Sequence, residues 1–380
     1  MERSHFRWHL YLPVLVLTGA LLLPAVRNCF LDAGLRWLYM LAVSFSISFV
    51  LTPAFGAIAK RFKVLDNPDS RKLHVKATPL LGGAAVFCAL IVAMILNGIC
   101  TKSVCAILVS ASLLFGVGVW DDVKEVSAGF KLVVQLLACV MVMYFGVVLR
   151  VIPYELGIFS LIGNIGLTII WIIGITNALN FFDGMDGLAA GLAVVIAFFL
   201  GLIAFQTSQP FLGWISVAVM GSCLGFLPYN LKGNGSASIF LGDAGSTTIG
   251  FILACIAVYG EWAVDNPVVA LISPLLIFWV LIFDMVYITV DRILTGKVLT
   301  IKQWLEYVGQ DHLHHRLAQV IGSPKKSVVF IYLLSLCLGI SALVLRHAGS
   351  VEAYLLVIQA VILVALISVL ERFGRSGSLK

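Results

Sequence analysis

Apolar stretches of roughly twenty residues, parted by short polar breaks, run along almost the whole chain. About 20 consecutive apolar residues suffice for a helix to cross the hydrocarbon core of a bilayer. On that template the pattern predicts about twelve spans. They lie near residues 9–27, 36–59, 80–98, 103–120, 131–150, 156–176, 187–206, 211–229, 244–260, 267–290, 328–346 and 351–370. The first stretch resembles a secretory signal, but it has no small-x-small cleavage site and its apolar run is long, so it is expected to be a retained helix. The predicted fold is all-α: a polytopic transmembrane bundle of about 11–12 spans, forming one domain over residues 1–380.

Composition removes the main alternative. The chain is 61% hydrophobic and 12% charged, with a mean hydropathy of +1.06. Soluble domains are nearer half apolar and a quarter charged. The net charge of +6 is modest and gives no reason to expect a nucleic-acid partner. Its distribution predicts orientation instead. Fifteen Lys and Arg occupy the loops after spans two, four, six, eight and ten, against five in the opposite loops, which puts the first set in the cytoplasm. Arg3, Arg7, Arg372, Arg375 and Lys380 put both termini there too. The opposite loops, 207–210, 261–266 and 347–350, are too short for a domain. The eight cysteines fall mostly in apolar stretches with no Cys-x-x-Cys pair, so neither a disulfide framework nor a zinc knuckle is expected.

The chemistry is expected in the polar breaks on the cytoplasmic side. Asp121-Asp122 closes span four. Adjacent carboxylates repel unless a cation sits nearby, so the pair suits Mg²⁺ or a proton, or else caps a helix beside Lys124. Asn177, Asn180 and Asp183 recur every third residue, with Asp186 a further step on, and share a stripe if the helix continues. Two amides and two carboxylates suit a nucleotide or a metal, and Gly184 and Gly187 allow close backbone approach.

Phe240-Leu241-Gly242-Asp243-Ala244-Gly245-Ser246 opens span nine. Asp243 there reads equally as a helix cap or as a Mg²⁺ ligand completed by phosphate oxygens. His312, His314, His315 and Arg316 suit phosphate contacts better than zinc, since no other ligand spacing supports a zinc site. Arg71, Lys72, His74 and Lys76 lead into Pro79 and Gly82-Gly83, which suggests a shaped phosphate-binding turn. Asp284 lies inside an apolar run, where a carboxylate either functions or pairs with a neighbouring helix. The segment 301–307 is expected to lie along the interface as an amphipathic helix.

Taken together, these ordered motifs, from about Arg71 to Leu317, resemble the polyprenyl-phosphate N-acetylhexosamine-1-phosphate transferases. The resemblance implies transfer of a sugar 1-phosphate from a UDP-sugar to a polyprenyl phosphate, with release of UMP. It implies Mg²⁺, with Mn²⁺ as a substitute, and a bacterial inner-membrane enzyme whose active site faces the cytoplasm. The substrates are its implied partners, and a homodimer is compatible with it. By resemblance Asp121 is a base or lipid-phosphate contact with Asp122 as its partner, and Asp243 with Asp122 holds the metal. Asn177, Asn180, Asp183 and Asp186 form the nucleotide stripe, Phe240 stacks on uracil, and Lys76 and Asn230 add polar contacts. His312, His314 and His315, helped by Arg316, bind diphosphate. The run Thr78 to Gly83 and the histidine run look like the branch that uses UDP-N-acetylglucosamine. Another UDP-N-acetylhexosamine or UDP-N-acetylmuramoyl-pentapeptide is the alternative, and a membrane transporter is the rival class.

Overall fold

The computed structural model describes residues 8–68, 76–232, 235–263, 266–300, 303, 304, 307, 309–346 and 348–377. Its helices are α1 Trp8–Leu21, α2 Pro24–Asp32, α3 Arg36–Phe62, α4 Gly82–Leu96, α5 Lys102–Val123, α6 Ala128–Tyr144, α7 Ile158–Phe181 and α8 Leu188–Gln206. They continue with α9 Pro210–Asn230, α10 Gly242–Tyr259, α11 Pro267–Ile277, α12 Trp279–Leu294, α13 Leu313–Ile321, α14 Pro324–Leu345 and α15 Ser350–Gly377. One two-residue antiparallel pair, β1 Leu65–Asp66 with β2 Thr78–Pro79, sits between α3 and α4, with Leu65 opposite Pro79.

Among the described residues, eight helices are long and apolar enough to cross a membrane: α3, α5, α7, α8, α9, α10, α14 and α15. α4 and α6 are apolar but shorter. The first and tenth expected spans are broken. α1 and α2 meet at 76°, and α11 and α12 at 79°. The first break has a local cause. Leu23 is extended, as the residue before a proline tends to be, and Pro24 starts a new helix without needing an N–H. The second bend is at Phe278, which closes α11 and opens α12.

α10 is the most enclosed of the eight, with 83% of its apolar window buried, and α15 the least, at 22%. α10 packs against α4, α5, α7, α8 and α9, so its first turn is held from several sides. Two contacts require glycine. A Cβ on Gly118 of α5 would stand 2.4 Å from Ala244 Cα, and one on Gly83 of α4 would stand 2.4 Å from Gly245 Cα. Backbone therefore lies against backbone where α4 and α5 meet the start of α10. The expected phosphate-binding turn at Gly82-Gly83 is corrected by this packing. Gly82 N–H donates to Phe240 O at 3.0 Å and Gly83 N–H to Leu241 O at 2.7 Å, so those donors are already taken.

The cysteine expectation is also corrected. Cys100 and Cys105 form a disulfide across the turn between α4 and α5. Two cysteines five residues apart at a helix start are neighbours in space, which a search for Cys-x-x-Cys overlooks. Cys139, Cys223 and Cys255 are buried as expected, whereas Cys29 and Cys337 are exposed.

Candidate active site

The site is built around the first turn of α10. Asp122, at the end of α5, accepts Asp243 N–H at 2.9 Å and Ala244 N–H at 3.3 Å. It therefore caps α10 from a different helix, where the first N–H groups have no partner of their own. That leaves the Asp243 carboxylate free of capping duty. Asp243 Oδ1 accepts from Asn180 Nδ2 at 3.1 Å, and Asp243 Oδ2 faces Lys131 Nζ at 3.2 Å. Lys131 Nζ also binds Asp121 Oδ2 at 2.6 Å, and Asp121 Oδ1 accepts Val126 N–H at 2.7 Å. One ammonium thus balances two carboxylates drawn from α5 and α10.

The end of α7 closes the other side. Asn180 also donates to Ser246 Oγ at 2.9 Å. Asp183 N–H bonds Asn180 O at 3.0 Å, so the chain keeps turning just beyond the helix and aims the Asp183 carboxylate at Gly242 N–H. Burial, reinforced by the charges of Asp243 and Asp122, pushes the Asp183 carboxyl well above the usual range. The single stripe expected along α7 divides. Asn177 faces α6, where it and Gln135 exchange amide hydrogen bonds at 2.9 and 3.1 Å, while Asn180 faces α10.

The histidines form a second cluster against the same turn. Asp284 is fully buried in α12, with Oδ2 lying 2.7 Å from His312 Nδ1 and Oδ1 accepting Leu313 N–H at 2.7 Å. It caps α13 and fixes the His312 ring together. Arg292 grips Asp311 with two bonds of 2.8 and 2.7 Å, tying α12 to the segment that carries the histidines. The His314 and His315 rings lie 4.2 Å apart between centroids, tilted by 42°. Their Nε2 atoms would lie 2.9 and 3.5 Å from a Cβ on Gly184, so both reach the turn that holds Asp183. Both nitrogens of His314 are buried without a hydrogen-bond partner among the described residues. Burial, followed by the charges of His315, His312 and Arg316, holds the His314 imidazole well below its usual pKa. His315 is lowered too, by burial first and His312 next.

Other expected site residues stand apart from these contacts. Asp186 accepts Ala237 N–H at 2.8 Å, and Asn230 links Gly187 N–H at 2.7 Å to Ile239 O at 3.0 Å. Both brace the segment before α10. Phe240 is half-buried, and its backbone N–H donates to Pro79 O at 2.8 Å. Lys76 is exposed just before β2. Arg316 is not turned toward the histidine edge that faces Gly184. It is 3% exposed, lies 3.9 Å over the Tyr287 ring and pairs with Glu371 at 3.4 Å. Arg71, Lys72 and His74 lie outside the described residues, as does most of 301–307.

Sequence reasoning missed Lys131, counted there only as an orienting charge, and Arg292, Gln135 and Ser246. The signal for Lys131 was available, since it sits in the first turn of an apolar helix ten residues after Asp121. Among the described residues, no three His, Cys, Asp or Glu side chains form a ready metal cage.

Comparison with known proteins decides the family. The family model described as glycosyl transferase family 4 matches residues 104–261. The probable undecaprenyl-phosphate N-acetylglucosaminyl 1-phosphate transferase of Bacillus subtilis is 33% identical over 314 residues, covering 80% of this chain and 84% of that protein. The chain belongs to glycosyl transferase family 4. Within it, the decaprenyl-phosphate N-acetylglucosaminephosphotransferase of Mycobacterium leprae is 31% identical over 319 residues, covering 76% of this chain and 78% of the relative. A phospho-N-acetylmuramoyl-pentapeptide-transferase of Clostridium botulinum is 31% identical over a shorter stretch of 239 residues, covering 57% of this chain and 72% of the relative. Family members are sugar-1-phosphate transferases, and this chain is a multi-pass member.

Proposed function

We propose that the protein transfers N-acetylglucosamine 1-phosphate from UDP-N-acetylglucosamine to a polyprenyl phosphate such as undecaprenyl phosphate, releasing UMP on the cytoplasmic side of a bacterial inner membrane. The relatives matched over 314 and 319 residues carry N-acetylglucosamine in their names, which favours that sugar. The observation that carries the reading is the meeting of the carboxylate cluster with the histidine cluster at Asp183-Gly184. A diphosphate needs both cation-binding and hydrogen-bonding groups, and they converge there.

The chemistry is group transfer. An oxygen of the lipid phosphate bonds to the β-phosphorus of the UDP-sugar, and the bond from that phosphorus to the UMP oxygen breaks, UMP leaving with the electron pair. A phosphate monoester has a second pKa near 6, so the nucleophile is already largely ionised at neutral pH. Positioning and charge balance then matter more than a strong base. Both oxygens of Asp122 accept α10 N–H groups, and both oxygens of Asp121 are bonded to Val126 and Lys131. Asp122 is thereby committed to capping α10, which favours direct attack over a phosphorylated Asp122.

Magnesium fits the donor set. It takes hard oxygen ligands, one or two carboxylates together with substrate phosphates, and needs no all-protein cage. The Lys131 ammonium between Asp121 and Asp243 marks a place suited to positive charge. Asp243 with Asp121 would hold the ion, and Asp122 serves as the cap that orients Asp243. Bound there, Mg²⁺ supplies neutralising charge for the diphosphate. Asn180 orients Asp243, His314 and His315 present nitrogens to the diphosphate, and Asp284 fixes His312 beside them. Phe240, Lys76 and Asp186 are assigned to the nucleotide side, whereas Asn177, Asn230 and Arg316 hold the scaffold.

The test is UMP release by purified protein with UDP-N-acetylglucosamine and undecaprenyl phosphate, with and without Mg²⁺. UMP that requires both substrates and the metal supports the reading. Turnover only with another UDP-sugar changes the sugar, and no UMP with any UDP-sugar sinks it. Recovery of a phosphorylated Asp121 or Asp122 would overturn direct attack.

A further inference from the structure

The end of α10 opposite Asp243 borders a second opening. A cavity of about 810 Å³ lies there, lined by the loop after α6, the α8–α9 turn, the end of α10, Trp171 of α7 and the first half of α11. Asp243 and Tyr259 are sixteen residues apart on one helix, roughly 24 Å at 1.5 Å per residue, so this cavity is separate from the carboxylate site. Its volume falls within the range of about 300–1,000 Å³ usual for ligand sites.

One wall is deliberately held. Leu149 N–H donates to Thr168 Oγ1 at 2.9 Å, and Val151 and Ile152 N–H donate to Asn164 Oδ1 at 3.1 and 2.9 Å. Asn164 Nδ2 returns to Ile152 O at 3.1 Å, and Ser160 Oγ donates to the same carbonyl at 2.8 Å. Ser160, Asn164 and Thr168 are 2%, 5% and 0% exposed. Three polar side chains sunk in an apolar helix are costly unless they are used. Here they fix the backbone on both sides of Arg150, which lines the cavity with its side chain exposed. Glu261, also on the lining, is fixed by its own backbone: Gln209 Nε2 donates to Glu261 O at 2.7 Å, and Glu261 N–H to Gln209 Oε1 at 2.9 Å. Among the described residues, neither the Arg150 guanidinium nor the Glu261 carboxylate has a partner, and they do not pair with each other. The Trp171 Nε1–H is likewise buried without an acceptor. The rest of the wall is mostly apolar, with Leu149, Val258, Leu271 and Pro274 among its residues.

We propose that this cavity binds a phospholipid from the leaflet at this end of the bundle, one whose headgroup carries both a phosphate and an ammonium. The phosphate meets Arg150, the ammonium meets Glu261, and an acyl chain lies along the apolar wall. A purely anionic headgroup would bring negative charge to Glu261 and leave that carboxylate unused.

The test is lipid retention. The full protein is exchanged into micelles holding equimolar phosphatidylethanolamine and phosphatidylglycerol, washed, and its retained lipid measured by native mass spectrometry. Phosphatidylethanolamine should be retained over phosphatidylglycerol by roughly three- to fivefold, the size of one partly exposed ion pair. Glu261→Gln should bring the two lipids to parity, and Arg150→Ala should lose both. Leu271→Trp should also lose both by filling the space without touching a charge, so it keeps the test decisive if Arg150→Ala folds poorly. Melting temperature and monodispersity check each variant. Equal or greater retention of phosphatidylglycerol by the unaltered protein would overturn the proposal. So would no retained lipid of either kind, or retention unchanged in Arg150→Ala and Leu271→Trp.

Discussion

Asp122 accepts the backbone N–H of Asp243 at 2.9 Å across 121 residues of sequence. A carboxylate from α5 therefore fixes where the first turn of α10 stands, and with it the direction of the Asp243 side chain. Asp122→Asn keeps the size but replaces one accepting oxygen with an amide that faces Ala244 N–H. Loss of a cap costs about 0.5–2 kcal/mol of stability. Activity should fall further, on the order of 10²-fold, because about 1 Å of misplacement at a reacting group has that effect. UMP release together with thermal unfolding checks this. A large stability loss with unchanged activity would sink the positioning role.

Lys131 and Asp243 should separate by what they leave behind. Asp243→Asn removes the carboxylate that Lys131 and Asn180 converge on, and turnover should be lost while the protein still inserts and folds. Retained Mg²⁺-dependent turnover in that variant would remove Asp243 from the metal role. Lys131→Met leaves Asp121 and Asp243 without their shared ammonium. Its activity should fall by at least about tenfold, an amount equivalent to 1.4 kcal/mol. Removing the ammonium also leaves the Asp121–Asp243 site more negative and without a competing cation, so the metal titration should shift to lower Mg²⁺.

The spans, their order and the polar motifs at one end were legible because bilayer length and carboxylates in apolar surroundings are strong signals. What the motifs touch was not legible. Asn177 and Asn180 look equivalent in sequence, yet one faces Gln135 and the other Asp243. Helical spacing gives a shared side of α7, and two different neighbouring helices divide it. Arg316 follows the histidines directly, but a helix sends adjacent side chains about 100° apart, and its guanidinium lands on Tyr287 instead. Lys131 was hidden because a basic residue at a membrane boundary already has a topological explanation.

The Asn177–Gln135 pair gives a double-mutant test. Replacing either residue with Leu strands the other amide in a largely buried contact and should cost about 1–3 kcal/mol. Replacing both should cost clearly less than the sum, since no orphan remains. UMP formation in the double variant should stay within about threefold of the unaltered protein, about 0.7 kcal/mol. A large rise in KM for the UDP-sugar with additive stability losses would return Asn177 to the nucleotide.

His314 sets a sign for the pH dependence of stability. Its imidazole is held below the ordinary value in the fold, so the unfolded chain binds a proton more readily. The stability it contributes is fully present above the unfolded pKa of about 6.5 and is lost as pH falls toward the folded value. Asp183, raised in the fold, acts with the opposite sign, and His315 acts with the same sign as His314. Both remain in His314→Leu, so the difference between the two proteins isolates His314. In metal-free buffer, the melting temperature of the unaltered protein should drop relative to His314→Leu between pH 7 and pH 5. A parallel offset at every pH would mean that His314 does not titrate in this range.

Gly118→Ala tests the close approach that brings the carboxylates together. The added methyl would stand 2.4 Å from Ala244 Cα and 2.7 Å from Ala244 N, which are backbone atoms that cannot swing aside. α10 must move away from α5, and the Asp122 bonds to Asp243 and Ala244 must lengthen with it. Overpacking of this kind costs about 1–3 kcal/mol, and activity should fall by at least about tenfold, equivalent to 1.4 kcal/mol. Gly116 provides the control, since it lies on the same helix two residues earlier and a Cβ there meets nothing within 4 Å. Gly116→Ala should therefore be neutral or slightly stabilising, because alanine favours a helix by up to about 1 kcal/mol over glycine. Equal losses in the two variants would point to a general intolerance of α5 to substitution and away from the contact with α10. A loss confined to Gly118→Ala, with UMP formation falling more steeply than the melting temperature, would tie catalysis to the spacing between these two helices.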